Sequence, residues 1–179
     1  MILAWGKKVD QKFRDKVFEI CISLGWNPGT HACWLMSCMA FESAESFRPD
    51  IRNAAGSGAV GLIQFMPFTA QGLGTSTKEL SKMSAVDQLA YVQRYFRPYA
   101  KRITTLSDMY MAILMPKFVG APEDAVLFLD PKVSYRQNAG LDTNTDGKIT
   151  KAEAAAKVQA KFDKGMLPRF GIEVRPLIP

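Results

Sequence analysis

The segment "NPGTHACWLMSCMAFE", Asn27 to Glu42, limits this chain more than any other stretch. It is dense in apolar residues, among them Trp34, Leu35, Cys38, Met39 and Phe41, and reads as a buried central helix. Asn27 is placed to cap that helix, with Pro28 in its first turn, where the missing amide hydrogen costs nothing. No apolar run in the chain reaches the roughly 20 residues that a membrane span needs. At 179 residues the chain has length for about one domain with a core that needs no staples.

The rest of the pattern is helical too. Val9, Phe13, Val17, Ile20 and Leu24 recur at helical spacing, and Gly25 stops that helix. Residues 44–61, with Pro49 and several glycines, read as a loop. "AVGLIQF" is a short strand or a tight turn into a helix that Pro67 starts. Ser84 and Asp87 form a capping box before a helix carrying Val86, Leu89, Ala90, Val92 and Phe96, which Pro98 limits. "LSDMYMAILM" predicts a short apolar helix stopped by Pro116, and another helix is expected to begin near Pro122. Residues 151–164 predict a final helix rich in alanine and lysine, followed by an extended tail, "LPRFGIEVRPLIP". The fold class is therefore mainly α, with residues 1–179 forming a single domain and a small loop or β element after Glu42.

The net charge is +6 and the pI about 9.3, which draws a protein toward nucleic acid, anionic lipid or an acidic wall polymer. Its lysines and arginines are dispersed, so charge alone does not choose. Cys21, Cys33 and Cys38 are odd in number and lack a metal-binding spacing, which suits buried thiols and argues against zinc. The start, "MILAWGKKVDQKFRDK", shows no conventional signal peptide, so the expectation is synthesis in the cytoplasm.

His31, Leu35, Cys38 and Glu42 fall on one face of the central helix, and Glu42 ends its apolar stripe. A carboxyl held partly out of water there gains the raised pKa that a general acid needs. His31, a single histidine on an apolar face, is assigned no role. The sequence onward from that glutamate, "FESAESFRP…GSGAVGLIQFMPFTA", resembles the core signature of the lytic-transglycosylase branch of the lysozyme superfamily. The matching residues are Glu42-Ser43, Ser57, Gly58, Gly61, Leu62, Gln64, Met66, Pro67, Thr69 and Ala70. Phe41-Glu42 with Phe47 and Pro49 looks most like the phage lysins and tail-associated lysozymes of that branch.

The resemblance implies a lysozyme-like fold and peptidoglycan glycan strands as the partner. It makes Glu42 the acid that protonates the oxygen between N-acetylmuramic acid and N-acetylglucosamine. The same residue would then act as base on the sugar's 6-hydroxyl, closing an anhydro ring. Ser57, Gln64, Met66 and Tyr110 become substrate-binding candidates, and glycines 56, 58 and 61 would let backbone approach the glycan. Glu45 also fits a Glu-Ser pair and is the alternative acid, although it is expected in solvated loop. The family's late Ala-Tyr-Asn-Ala-Gly is not found in "MYMAILMPKFVG", where Tyr110 lies close but displaced, so hydrolysis by water stays open. A calcium-dependent wall-binding phage structural module without turnover is the non-enzymatic alternative. The enzyme would act in the periplasm or from the virion, beside anionic wall or outer membrane. It would have no specific nucleic-acid partner, and would be a monomer unless part of a virion.

"DTNTDGKITKAE" fits the twelve-residue EF-hand calcium loop. Asp142, Asn144 and Asp146 take positions 1, 3 and 5, Gly147 makes the turn, and Lys148 offers its carbonyl at 7. Thr150 stands at 9 and Glu153 at 12, while Ile149 is the apolar anchor. The segment before it is a poor entering helix and no second loop exists, so the expected ion is a structural Ca2+ that clamps the C-terminal part.

Overall fold

The structure is a computed structural model that describes residues 1–54 and 56–175. Asp10 opens α1 (Gln11–Ser23) by accepting the Phe13 amide at 2.8 Å. Gly25 follows it at φ 71, a left-handed position that glycine takes without strain. Asn27 caps α2 (Pro28–Glu42) through the Thr30 amide at 3.2 Å. As its composition demands, α2 is the central helix, packed by α1, by α6 (Leu106–Leu114) and by α8 (Lys151–Met166).

Ser84 caps α5 (Ala85–Phe96) through the Asp87 amide, and α5 lies against α1. Between α2 and α5 run an irregular loop and two short helices, α3 (Pro67–Gly72) and α4 (Thr77–Leu80). All three cysteines are free and buried. Among the described residues no helix is long and apolar enough to cross a membrane.

The first and last strands of the described residues meet. β1 (Ile2–Leu3) pairs antiparallel with β4 (Ile172–Glu173), and the Trp5 indole donates to the Lys161 carbonyl at 2.9 Å. A Cβ on Gly165 would stand 2.4 Å from the Trp5 ring, so α8 needs glycine there to close on it. The tail expected to be extended first turns at 168–170, where the Leu167 carbonyl accepts the Phe170 and Gly171 amides, then forms a short strand at 172–173, and residues 176–179 of that prediction lie outside the described residues.

The helix expected near Pro122 is not formed. Residues 122–125 turn instead into β2 (Val126–Leu129), which pairs with β3 (Lys148–Thr150) and sets Phe128 opposite Ile149. "VLFL" is a strand-favouring run, and β3 offers it an edge that no local pattern announces. The segment before the 142–153 loop holds one short helix, α7 (Val133–Asn138), and a 3₁₀ turn at Ala139–Leu141.

Where β3 passes into α8, Lys151 is buried, with 2% of its surface exposed. Its ammonium donates to Asp108 Oδ1 at 2.6 Å and to the Ala121 carbonyl at 2.7 Å. Asp108 also accepts the Gly120 amide at 2.8 Å and the Thr104 amide at 3.1 Å. Burial pushes the Asp108 carboxyl up, but these donors outweigh it and hold it at about 2. The pair ties α6 to α8, the two helices that flank α2.

Candidate active site

Glu42 is the last residue of α2, half-buried where the helix meets the loop. Ser43 ends the helix. Its hydroxyl donates back to the Met39 carbonyl at 2.7 Å and accepts the Phe47 amide at 3.0 Å, while Ala44, Glu45 and Phe47 take positive φ. The matched Glu-Ser pair therefore combines a carboxyl with the residue that turns the chain away from it.

Around Glu42 stand Cys38 one turn back, Tyr95 of α5 and Tyr110 of α6. Burial first, and then the Glu42 charge, raises the pKa of Cys38 and of Tyr110. Tyr95 is raised by burial, then by Tyr99, then by Glu42. Tyr110 is 3% exposed and meets Phe41 edge to face at 5.5 Å, so the displaced tyrosine does reach the neighbourhood of the acid. The Tyr95 hydroxyl is held by the Ala112 carbonyl at 2.6 Å. Burial within this set pushes the Glu42 carboxyl up to about 7.

Glu45, three residues on, is treated in the opposite way. It stands in the turn after α2, but its carboxylate is not left to solvent: Lys161 and Lys164 of α8 both pair with it, Lys164 at 2.8 Å. Burial would raise its carboxyl, but the hydrogen bonds from the two lysines outweigh that and lower it. A carboxylate held ionised by two ammonium groups is a poor proton donor. Asp50 is likewise paired, with Arg48 at 2.7 Å on the surface.

The loop folds on itself through backbone bridges, Arg52 to Val60 and Val60 to Phe65. Gln64, at φ 53, donates its amide to the Gly61 carbonyl at 3.1 Å and the Ile51 carbonyl at 3.3 Å. Its donor side is thus committed to the loop. Ser57 is exposed and accepts the Ala59 amide at 3.3 Å, and among the described residues no hydrogen bond joins it to Glu42. Met66 is 46% exposed and the neighbouring Phe68 85%, an apolar pair where α3 leaves the loop. The Phe65 ring lies 6.2 Å from Tyr95 and links the loop to the wall beside Glu42. His31, at the opposite end of α2, stacks on Trp26 at 5.4 Å.

Gly56 and Gly58 take positive φ, the left-handed form that favours glycine. At Gly61 the added requirement is not room for a glycan. The space a Cβ would fill is occupied by the side chain of Gln88, a residue the sequence did not single out.

In the 142–153 loop each acidic side chain has a protein partner. Asp142 accepts the Thr145 and Gly147 amides and the Tyr135 hydroxyl, at 2.7, 3.0 and 2.7 Å. Asn144 accepts the Asp146 amide, and Asp146 the Lys148 amide, each at 2.9 Å. Glu153 and Thr150 form a capping box at the start of α8. Among the described residues no three acidic, histidine or cysteine side chains are gathered closely enough to hold a metal ion.

Residues 20–94 match the family model described as Transglycosylase SLT domain, a stretch from late α1 through α2 and the loop to α5. Members of that lysozyme-like family are peptidoglycan lytic transglycosylases. Tyr110, the 142–153 loop and α8 lie beyond the matched residues. No curated protein and no solved structure matches the chain.

Proposed function

We propose that this chain cleaves the β-1,4 bond between N-acetylmuramic acid and N-acetylglucosamine in peptidoglycan, as a lytic transglycosylase with Glu42 as acid and then base. One observation carries the reading. Glu42, inside the family-matched stretch, is withdrawn from water among Cys38, Tyr95 and Tyr110, with its carboxyl at about 7. Near neutral pH about half the molecules then hold the proton that must pass to the glycosidic oxygen as the C–O bond breaks. The carboxylate left behind is unfavourable in that setting. It regains a proton from the muramic 6-hydroxyl, whose oxygen bonds to C1 and closes the anhydro ring.

Glycosidases that use water ordinarily need a second carboxylate as nucleophile or base. The two nearest in sequence, Glu45 and Asp50, are paired with Lys161/Lys164 and Arg48, which favours the single-carboxylate route. Glu42→Gln should keep the fold and lower turnover by about 10²–10⁴-fold. Mass spectrometry of muropeptides released by the wild type should find anhydromuramic ends. Reducing ends alone would assign the attack to water, and an active Glu42→Gln would remove Glu42 from the chemistry.

We also propose that residues 142–153 bind a structural calcium ion through Asp142, Asn144, Asp146, the Lys148 carbonyl, Thr150 and Glu153. The donor set is all oxygen, as calcium prefers. Ile149 is buried and paired with Phe128, and this seats the loop on β2 in place of a second EF-hand. Binding requires Asp142 to leave Tyr135, and Glu153 to turn from Thr143 and its helix cap. Calcium at 100-fold above Kd should stabilise the fold by about 2.7 kcal/mol, read as a rise in Tm that Glu153→Ala removes. No shift in Tm at any calcium concentration would leave the loop as a polar turn.

A further inference from the structure

Gln88, in the first turn of α5, is fully buried, and its amide serves main-chain groups outside its own helix. Oε1 accepts the Leu62 amide at 2.7 Å, while Nε2 donates to the Pro49 carbonyl at 3.0 Å and the Leu80 carbonyl at 2.9 Å. Pro49 and Leu62 bracket the loop that follows Glu42, and Leu80 ends α4. One side chain therefore holds both ends of the loop to the helices behind it. Gly61 completes the fit, because a Cβ there would stand 2.2 Å from Oε1 and 2.6 Å from Nε2, at φ 84.

We infer that Gln88 is a positioning residue for the Glu42 site, fixing the 49–62 loop so that Phe65 closes against Tyr95. The inference rests on the reading of Glu42 as the acid. Glutamine suits the place because one acceptor and two donors are needed at one point. A glutamate would set a second acceptor against two carbonyls, and a methionine would take the partner from the Leu62 amide and the Pro49 carbonyl and leave the Leu80 carbonyl with the Met83 amide at 3.3 Å. If Leu62 shifts, Phe65 shifts with it three residues on, and water gains access to the wall formed by Cys38, Tyr95 and Tyr110 around Glu42. A wetter carboxyl returns toward its ordinary value.

The test compares wild type, Gln88→Met, Gln88→Asn and Val158→Ala on purified peptidoglycan, at a temperature where circular dichroism shows each folded. Val158 is buried on α8 and serves as a variant of lowered stability away from the loop. Both Gln88 variants should lose about tenfold or more in kcat/KM, since small misplacements at a site cost that much or more. Their alkaline limb of activity should also move to lower pH, while Val158→Ala keeps wild-type values. Gln88→Asn keeps every polar atom, and decides the matter alone if Gln88→Met does not fold. Gln88 variants that lose Tm as Val158→Ala does, yet keep kcat/KM and the pH limb, would overturn the inference. A wild type that releases nothing, or an active Glu42→Gln run alongside, marks failure of the parent reading instead, and the positioning role falls with it.

Discussion

Asp108, in the first turn of α6, and Glu42, at the end of α2, both stand where burial favours the neutral acid. At Asp108 the withdrawn water is replaced by an ammonium, two backbone amides and a hydroxyl, and the carboxyl is held at about 2. At Glu42 burial is the cause that acts, and the carboxyl rises to about 7. The tyrosines around it present ring and hydroxyl, not positive charge. What separates the two acids is the supply of donors, not the loss of water. Asp108 is held ionised between two helices, whereas Glu42 keeps its proton up to about 7.

The comparison breaks most visibly if the donor is taken from Asp108. Lys151→Met should destabilise the fold by about 3–5 kcal/mol, as for a buried charge stripped of its partner, and urea denaturation at pH 7 measures it. A loss below about 1 kcal/mol would show that the amides alone satisfy Asp108. Glu42→Gln should act in the other direction on stability. The folded state keeps the Glu42 proton up to about 7, while the unfolded chain releases it near 4.5, so wild-type stability falls as pH rises between those values. The variant escapes that fall and should gain up to about 3 kcal/mol on the wild type by pH 8, with little difference at pH 4. An equal gain at both pH values would place the effect elsewhere.

Glu45→Gln is the smallest of the three and sharpens the contrast within α2's own exit. Its carboxyl is lowered, so its stabilisation is present above about 4.5 and lost as pH falls through the folded value. The partly exposed pairs with Lys161 and Lys164 are worth about 1 kcal/mol at pH 7, seen as a modest drop in Tm that disappears in acid. Turnover at low temperature should stay close to wild type. A stable but inactive Glu45→Gln would exchange the roles of the two glutamates.

Local chemistry made the main features legible in the sequence. Asn27-Pro28 announced α2, its apolar face located Glu42, and Ser84 marked the start of α5. The features that were hidden depend on partners distant in the chain. Gln88 looks like a solvent residue on an amphipathic helix until Pro49, Leu62 and Leu80 are folded around its amide. Lys151 opens a helix full of alanine and lysine, and nothing beside it reveals Asp108 waiting 43 residues away. β2 needed β3, and Glu45 needed two lysines more than a hundred residues on. Periodicity reports the side that faces a core, but not which polar group that core contains.

The closure of α8 on the rest of the molecule also has a bearing on how the chain is made. The helix carrying Glu42 is made before α8, yet one of its sides is covered by α8, and the turn after it is tied down by Lys161 and Lys164. Trp5 finds its place against Gly165, Phe170 and the Lys161 carbonyl, the last 156 residues on. Contacts this distant in sequence form slowly and cannot be completed segment by segment. A nascent chain that has produced every residue around the acid would still hold them in an open, wet arrangement. The surroundings of Glu42 would then be completed late and all together, when α8 docks.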